Sequence, residues 1–122
     1  MNKRNYETLF VLTPVLSDEQ IQETTGKVVN FLKNNKSEIV YESGSELKKL
    51  SYPIDGKLSG VYNVIEFRAS PDVVKLLEIE YKREEKIIRF LTIVLDKHGI
   101  AYNEKKRLKT TIEQTNKTEI NQ

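Results

Sequence analysis

The chain has 122 residues, of which 38% are hydrophobic and 31% are charged, and its formal net charge is +2. This length suits one domain with a single hydrophobic core. The absence of cysteine excludes a disulfide framework, a thiolate metal site and a cysteine nucleophile, and it is typical of a reducing compartment, so the cytoplasm is the expected location.

The N-terminal segment is predicted to form a strand followed by a helix. Residues 5–13 alternate as a strand does, and Pro14 interrupts the apolar run too early for a signal peptide. Ser17 stands three residues before Gln20, which is the capping-box spacing. A helix is therefore expected over residues 18–34, with one apolar stripe. The stripe contains Ile21, Thr25, Val28 and Leu32.

The middle of the chain is predicted to form two strands separated by a turn. Residues 38–54 are typical of one long strand, or of two arms of it, with a bulge or bend at residues 43–45. Asp55-Gly56 is a turn signal, and the connection is expected to extend to Gly60. Residues 61–69 are rich in β-branched and aromatic residues and predict the next strand.

A second helix and a last strand complete the pattern. Ser70 is a serine at the expected N-cap, Pro71 takes the first helical position, and Asp72 lies near the positive end of the helix dipole. The predicted buried stripe contains Val73, Leu76, Leu77 and Tyr81. Residues 87–95 form the last predicted strand, and they are too few for a membrane span of about 20 residues.

The C-terminal segment differs in composition from the rest of the chain. Residues 1–95 contain 14 Lys plus Arg and 14 Asp plus Glu, so the excess of two positive charges lies in residues 96–122. Periodicity fades after Gly99, and residues 103–122 are expected to lack regular structure. We therefore expect a domain over 1–95 and a polar, basic tail over 96–122, flexible or ordered by a partner, that contacts phosphate or is simply solvated.

The predicted order is strand, helix, strand, strand, helix, strand. Right-handed crossovers in both halves give an α+β fold of the ferredoxin-like, split βαβ type (βαββαβ). It contains a four-stranded antiparallel sheet with two helices on one face. The other face of the sheet is left uncovered by these elements.

That uncovered sheet face is predicted to be partly apolar. Because alternate residues of a strand point to opposite faces, Leu9 and Val11 point away from the helices, as do Tyr62 and Val64. An apolar surface with a charged rim is typical of a protein or nucleic-acid interface. Two alternatives remain: single exposed apolar side chains are ordinary, and the tail folds back over them.

Catalytic and metal-binding patterns are missing from the sequence. His98 is the single histidine and has no cysteine or second histidine as a partner. The glycines fit no phosphate-binding spacing, and no carboxylate pair stands out as general acid and base. We therefore expect no enzyme, no metal and no cofactor. A homodimeric, ligand-binding regulatory domain and an acyl-phosphate enzyme using Arg89 remain as alternatives.

Lys48 and Lys49 are adjacent cations on a predicted strand that ends in Tyr52-Pro53. Pro53 cannot donate to a sheet ladder, so it belongs on an edge or at a strand end. Adjacent strand residues point to opposite faces, so the two lysines flank the sheet edge and attract phosphate from both sides. The alternative is that they prevent this edge from pairing with another molecule.

Several short motifs resemble those of the bacterial small-subunit ribosomal protein S6 family. The matching motifs are Tyr6-Glu7, Leu47-Lys48-Lys49-Leu50-Ser51-Tyr52-Pro53-Ile54, Gly60-Val61-Tyr62, the helix start at Pro71, and Ile87-Ile88-Arg89. The resemblance covers residues 4–94. It implies a ferredoxin-like fold and a ribonucleoprotein role in translation, in which the protein binds the central domain of small-subunit ribosomal RNA together with ribosomal protein S18. The short apolar runs and the missing catalytic patterns separately predict no membrane partner and no small-molecule substrate.

The expected binding residues form two groups. The residues expected to contact RNA phosphate are Lys3, Arg4, Lys48, Lys49, Lys57 and Arg89. The residues expected to contact the partner protein are Leu9, Val11, Tyr52, Pro53, Tyr62 and Val64. Three positions depart from the family pattern: lysines stand where arginine is frequent, Ser51 replaces a usual alanine, and Asn63 stands at an expected apolar position.

Overall fold

Five strands and three helices follow one another along the chain in the computed structural model. It describes residues 3–54 and 56–120, with side chains as far as Leu108. The elements are β1 (Arg4–Leu12), α1 (Asp18–Asn34), β2 (Glu38–Glu42), β3 (Glu46–Ile54), β4 (Lys57–Ala69), α2 (Pro71–Arg83), β5 (Ile87–Leu95) and α3 (Lys97–Ile120).

The strands form one antiparallel sheet with β4 and β1 at its centre. The order is β2-β4-β1-β5, and β3 also pairs with β4, next to β2 on the same edge. The ferredoxin-like prediction is therefore confirmed, with one difference. The expected second strand of four is divided into β2 and β3, which makes five strands.

The division between β2 and β3 has a local physical cause at residues 43–45. The backbone N–H of Ser43 donates to the Val64 carbonyl at 2.9 Å, and the Ser43 hydroxyl accepts from the Val64 N–H at 2.9 Å. Gly44 has a φ of 75°, and the Ser45 hydroxyl donates to the side chain of Asn63. Asn63 is buried and also donates to the Val61 carbonyl at 3.1 Å, which explains a polar residue at this apolar position.

The turn between β3 and β4 is tighter than the sequence suggested. Ile54 pairs with Lys57, and Gly56 has a φ of 75°, a conformation that glycine adopts without strain. Asp55 of the predicted turn lies outside the described residues, and β4 begins at Lys57 and not after Gly60. The reason is that pairing with β3 extends β4 back to the turn.

The helices begin where the caps predict, with differences in detail. Ser17 and Gln20 form the expected capping box at the start of α1. Ser70 occupies the N-cap of α2, but its hydroxyl makes no capping hydrogen bond. In the predicted stripes, Thr24 is buried where Thr25 was expected, and Leu76 is 46% exposed.

The hydrophobic core lies between the sheet and the two helices α1 and α2. Its largest fully buried apolar or aromatic side chains are Tyr81, Phe10, Phe67, Leu12, Leu32 and Leu77. Alternate residues of β1 and β4 therefore point to the helices, as the strand period predicts. This layer leaves the opposite sheet face available for other contacts.

The C-terminal segment forms a helix, contrary to the expectation of no regular structure after residue 103. The helix α3 begins next to Asp96, whose carboxylate accepts from the Gly99 N–H at 2.7 Å and whose carbonyl accepts from the Ile100 N–H at 3.0 Å. The sequence signal is weak because none of residues 97–108 is fully buried, so this described part of the helix has no buried apolar stripe.

Candidate functional site

We call the sheet face opposite α1 and α2 the open face. The strand registers arrange its side chains in three rows that cross β5, β1 and β4 in that order. The rows are Arg89, Val11 and Tyr62; then Leu91, Leu9 and Val64; then Ile93, Glu7 and Glu66. The face therefore changes from basic and aromatic, through apolar, to acidic.

The first row, with its neighbours on β3, forms what we call the basic end. The Nζ of Lys48 lies 5.7 Å from the ring centroid of Tyr62, and the Cζ of Arg89 lies 5.6 Å from that of Tyr52. Both cations are exposed, so each adds a modest cation–π attraction and remains open to a further ligand. Lys48 also lies 3.7 Å from the carboxylate of Glu46.

The apolar support of the basic end is buried within the chain itself. Val11 was expected to contact a partner, but it is fully buried on the open face and is unavailable to one. Leu50 is buried beside it, because Gly60 has no side chain to separate the two. Val11 therefore packs beneath the basic end and is not itself exposed there.

The middle row is the apolar part of the open face. Leu9 and Val64, both expected to bind a partner, are partly exposed and lie side by side on β1 and β4. Leu91 on β5 continues the row and is 57% exposed, and Ile93 beside it is 46% exposed. Sequence reasoning missed these two β5 residues, although the period of the last strand would have placed them on this face.

The third row forms what we call the acidic end, and α3 covers it. Asn103 donates to Glu7 at 2.7 Å and to Glu66 at 3.3 Å, while Arg107 forms an ion pair with Glu66 at 3.0 Å. The guanidinium of Arg107 also lies 3.7 Å from the ring centroid of Tyr41. The alternative that the tail folds back over the open face is thus correct for this end.

The other cations expected to bind RNA lie away from the open face or at its opposite end. Lys49 is exposed on the helix side of β3, and Lys57 is partly exposed at the β3–β4 turn, next to the exposed Pro53. Lys3 and Arg4 lie at the start of β1, where Lys3 pairs with Glu38 at 3.4 Å.

The structure therefore divides the six expected cations into two groups. Lys48, Lys49, Lys57 and Arg89 surround the basic end. Lys3 and Arg4 lie beyond the acidic end, about 25 Å away along β1 at roughly 3.3 Å per residue.

Metal-binding clusters and membrane-spanning helices are absent from the described residues. Within residues 3–54 and 56–120, no three His, Cys, Asp or Glu side chains lie close enough together to hold a metal ion. In the same part of the chain, no helix is long and apolar enough to cross a membrane.

Comparisons with known proteins agree with the fold and with the sequence resemblance. A family model described as Ribosomal protein S6 matches residues 5–94. The chain is 50% identical over 103 residues to the small ribosomal subunit protein bS6 of Parabacteroides distasonis, covering 84% of this chain and 87% of that one. It is equally identical, over 103 residues, to the bS6 protein of Christiangramia forsetii, covering 84% and 92%.

A solved structure extends the likeness to three dimensions. The crystal structure of 30S ribosomal protein S6 from Thermotoga maritima superimposes with a TM-score of 0.74 at 25% sequence identity. The match covers 88% of this chain and 98% of the other. The α3 helix lies beyond the residues that the family model matches.

Proposed function

The chain belongs to the ribosomal protein S6 family of the small ribosomal subunit, and we propose that it binds the central domain of small-subunit ribosomal RNA together with ribosomal protein S18. Family membership places it in the cytoplasmic ribosome as a component of a ribonucleoprotein that acts in translation. Its role is structural and involves no catalysis or cofactor.

The order of the three rows on the open face carries this proposal. Exposed cations at the basic end suit RNA phosphate, and they lie over tyrosine rings that exclude water from one side of each contact. The adjacent apolar row suits a protein, because the buried centre of a protein interface is more apolar and poorer in charged residues than the rest of the surface. RNA and protein thus bind side by side on one surface.

The charge balance of the chain predicts that RNA binding depends on S18 as well as on the chain's own cations. Residues 1–95 carry 14 cations and 14 anions, so long-range attraction to RNA is weak. We expect the free protein to bind RNA poorly and to bind it well when S18 contributes a joint surface. Tyr52, Pro53 and Tyr62 then lie at the boundary between the two ligands.

Replacing both Lys48 and Lys49 by alanine tests the phosphate contacts. We expect less of the variant in small subunits separated by sedimentation. In RNA binding measured with S18 present, we expect the slope of log affinity against log salt to fall by about one for each lost phosphate contact.

The control removes two charges from the opposite side of the molecule. Lys75 and Lys82 are exposed on α2, away from the open face, so the double alanine variant should incorporate normally with an unchanged slope. An unchanged slope for the Lys48 and Lys49 variant would count against the phosphate contacts. Failure of the wild-type protein to sediment with small subunits would refute the proposed function.

A further inference from the structure

The acidic end of the open face contains two carboxylates that oppose each other directly. Glu7 and Glu66 are register partners on β1 and β4, and Glu66 is only 1% exposed. Like charges at directly opposite positions destabilise a sheet, and a buried carboxylate needs a cation or several donors. This end of the sheet therefore requires a basic or amide partner from some other segment or molecule.

The helix α3 supplies that partner in the free protein. Asn103 and Arg107 are four residues apart, which places both side chains on the same face of the helix. Asn103 bridges the two carboxylates, and Arg107 pairs with the buried one. The three contacts neutralise part of the charge and give one oxygen of each carboxylate a donor.

Over residues 97–108, whose side chains are described, the contacts of α3 with the strands are mainly polar. Among residues 97–108, none is fully buried, and Tyr102 and Leu108 are 66% and 64% exposed. Most helices in proteins are held by burial of an apolar face. Few contacts therefore oppose local opening of residues 97–108, although the Arg107–Glu66 pair is largely buried and Glu66 needs another cation when Arg107 leaves.

We propose that α3 is a displaceable cover of the acidic end, and that the protein docking on the open face replaces it with a basic side chain of its own. This proposal rests on the proposed function. The acidic row adjoins the apolar row of Leu9, Leu91 and Val64, so a protein that covers the apolar row meets α3 at its border. The occupant is a protein because carboxylates at this end repel RNA phosphate.

Hydrogen exchange of the full chain, alone and saturated with purified S18, tests the displacement. In the complex, the backbone amides of residues 100–108 should exchange at least about tenfold faster than in the free protein, because the helix loses its contacts with the sheet. The amides of β5 should exchange more slowly. Unchanged or slower exchange of residues 100–108 in the complex overturns the proposal.

Affinity for S18 provides the second test, with variants that each remove one positive charge from α3. Arg107→Ala should bind S18 at least about threefold more tightly than wild type, because a competing contact is gone. Lys105→Ala, at an exposed position, should bind as wild type does. Arg107→Ala binding that is equal to or weaker than wild type overturns the displacement.

Asn103→Ala is a second variant in case Arg107→Ala does not fold. It removes the hydrogen bonds to Glu7 and Glu66 but keeps the ion pair between Arg107 and Glu66. It should also bind S18 more tightly and speed exchange in α3 of the free protein; no change in either overturns the proposal. If S18 binds wild type while α3 stays protected, the displacement alone fails. If S18 binds neither wild type nor the variants, the proposed function fails and the displacement with it.

Discussion

At the scale of single residues, Gly60 determines how closely two strands approach on the open face. A Cβ at this position would overlap the Cγ1 of Val11 and touch the Cδ2 of Leu50 at 3.5 Å. Val11 is fully buried and β-branched, so its side chain has little freedom to move. The basic end depends on this contact, because Val11 and Leu50 support the surface that Tyr62 and Arg89 share.

Gly60→Ala should therefore destabilise the protein by roughly 1–3 kcal/mol, as overpacking of a filled site does. The midpoint of urea unfolding measures this change. Gly26→Ala is the matched control: no atom lies within 4 Å of its added Cβ, and it stands inside α1. The control should gain about 0.5–1 kcal/mol from helix propensity, and a Gly60→Ala variant as stable as wild type would contradict the close approach.

At the scale of elements, Tyr81 links α2 to two strands of the sheet. Its hydroxyl shares a hydrogen bond of 2.8 Å with Thr8 on β1, and Thr8 shares another of 2.8 Å with Thr92 on β5. Its ring lies 5.5 Å from that of Phe10 and 5.1 Å from that of Phe90. Burial raises the pKa of Tyr81 well above its usual value, and the hydrogen bond from Thr8 offsets this only in part.

The raised pKa predicts an alkaline loss of stability. Since Tyr81 keeps its proton in the folded state and loses it in the unfolded state above pH of about 10, its contribution is complete below that pH and falls as the pH rises further. Tyr81→Phe should cost about 1 kcal/mol at neutral pH through the lost hydrogen bond. The difference in the free energy of unfolding between wild type and Tyr81→Phe should shrink above pH of about 10, by at most about 1.4 kcal/mol per pH unit.

Urea unfolding of wild type and Tyr81→Phe between neutral and alkaline pH measures that difference. Tyr102→Phe is the control, because Tyr102 is 66% exposed on α3 and should show the same pH profile as wild type. A difference between wild type and Tyr81→Phe that stays constant through the alkaline range would contradict the predicted ionisation.

At the scale of the whole molecule, the two faces of the sheet differ in composition and in exposure. The helix side holds the core, and the open face carries three rows of different chemistry. Leu91 shows the difference most simply, since it is apolar and yet 57% exposed at the β5 end of the middle row. Its exposure contributes nothing to the stability of the free chain, which is the property expected of an interface residue.

Leu91→Glu should weaken binding of S18 by at least about tenfold, because a buried leucine contributes about 1.5–3 kcal/mol and a charge in its place is costly to desolvate. Stability of the free protein should change by less than about 0.5 kcal/mol. Titration calorimetry and urea unfolding measure the two effects. Leu76→Glu, at an exposed leucine on α2, should change neither, and S18 binding by Leu91→Glu at wild-type affinity would contradict the docking surface.

Local patterns were sufficient to predict most elements of the fold. The strand period assigned Leu9 and Val64 to the open face, and the Ser17 and Gln20 pair marked the start of α1, because both signals depend on neighbours in sequence. The tight hairpin before Lys57 was predicted less well, since strand pairing extended β4 beyond its own β-branched run. The binding residues themselves remain predictions.

The sequence by itself determined the fold, the neutral body and the family, because alternation, caps and short motifs are properties of adjacent residues. Only the tertiary structure decided that Val11 is buried, that Glu7 opposes Glu66, and that Arg107 lies over them. These facts depend on strand register and on contacts between residues far apart in the chain. No local period encodes them.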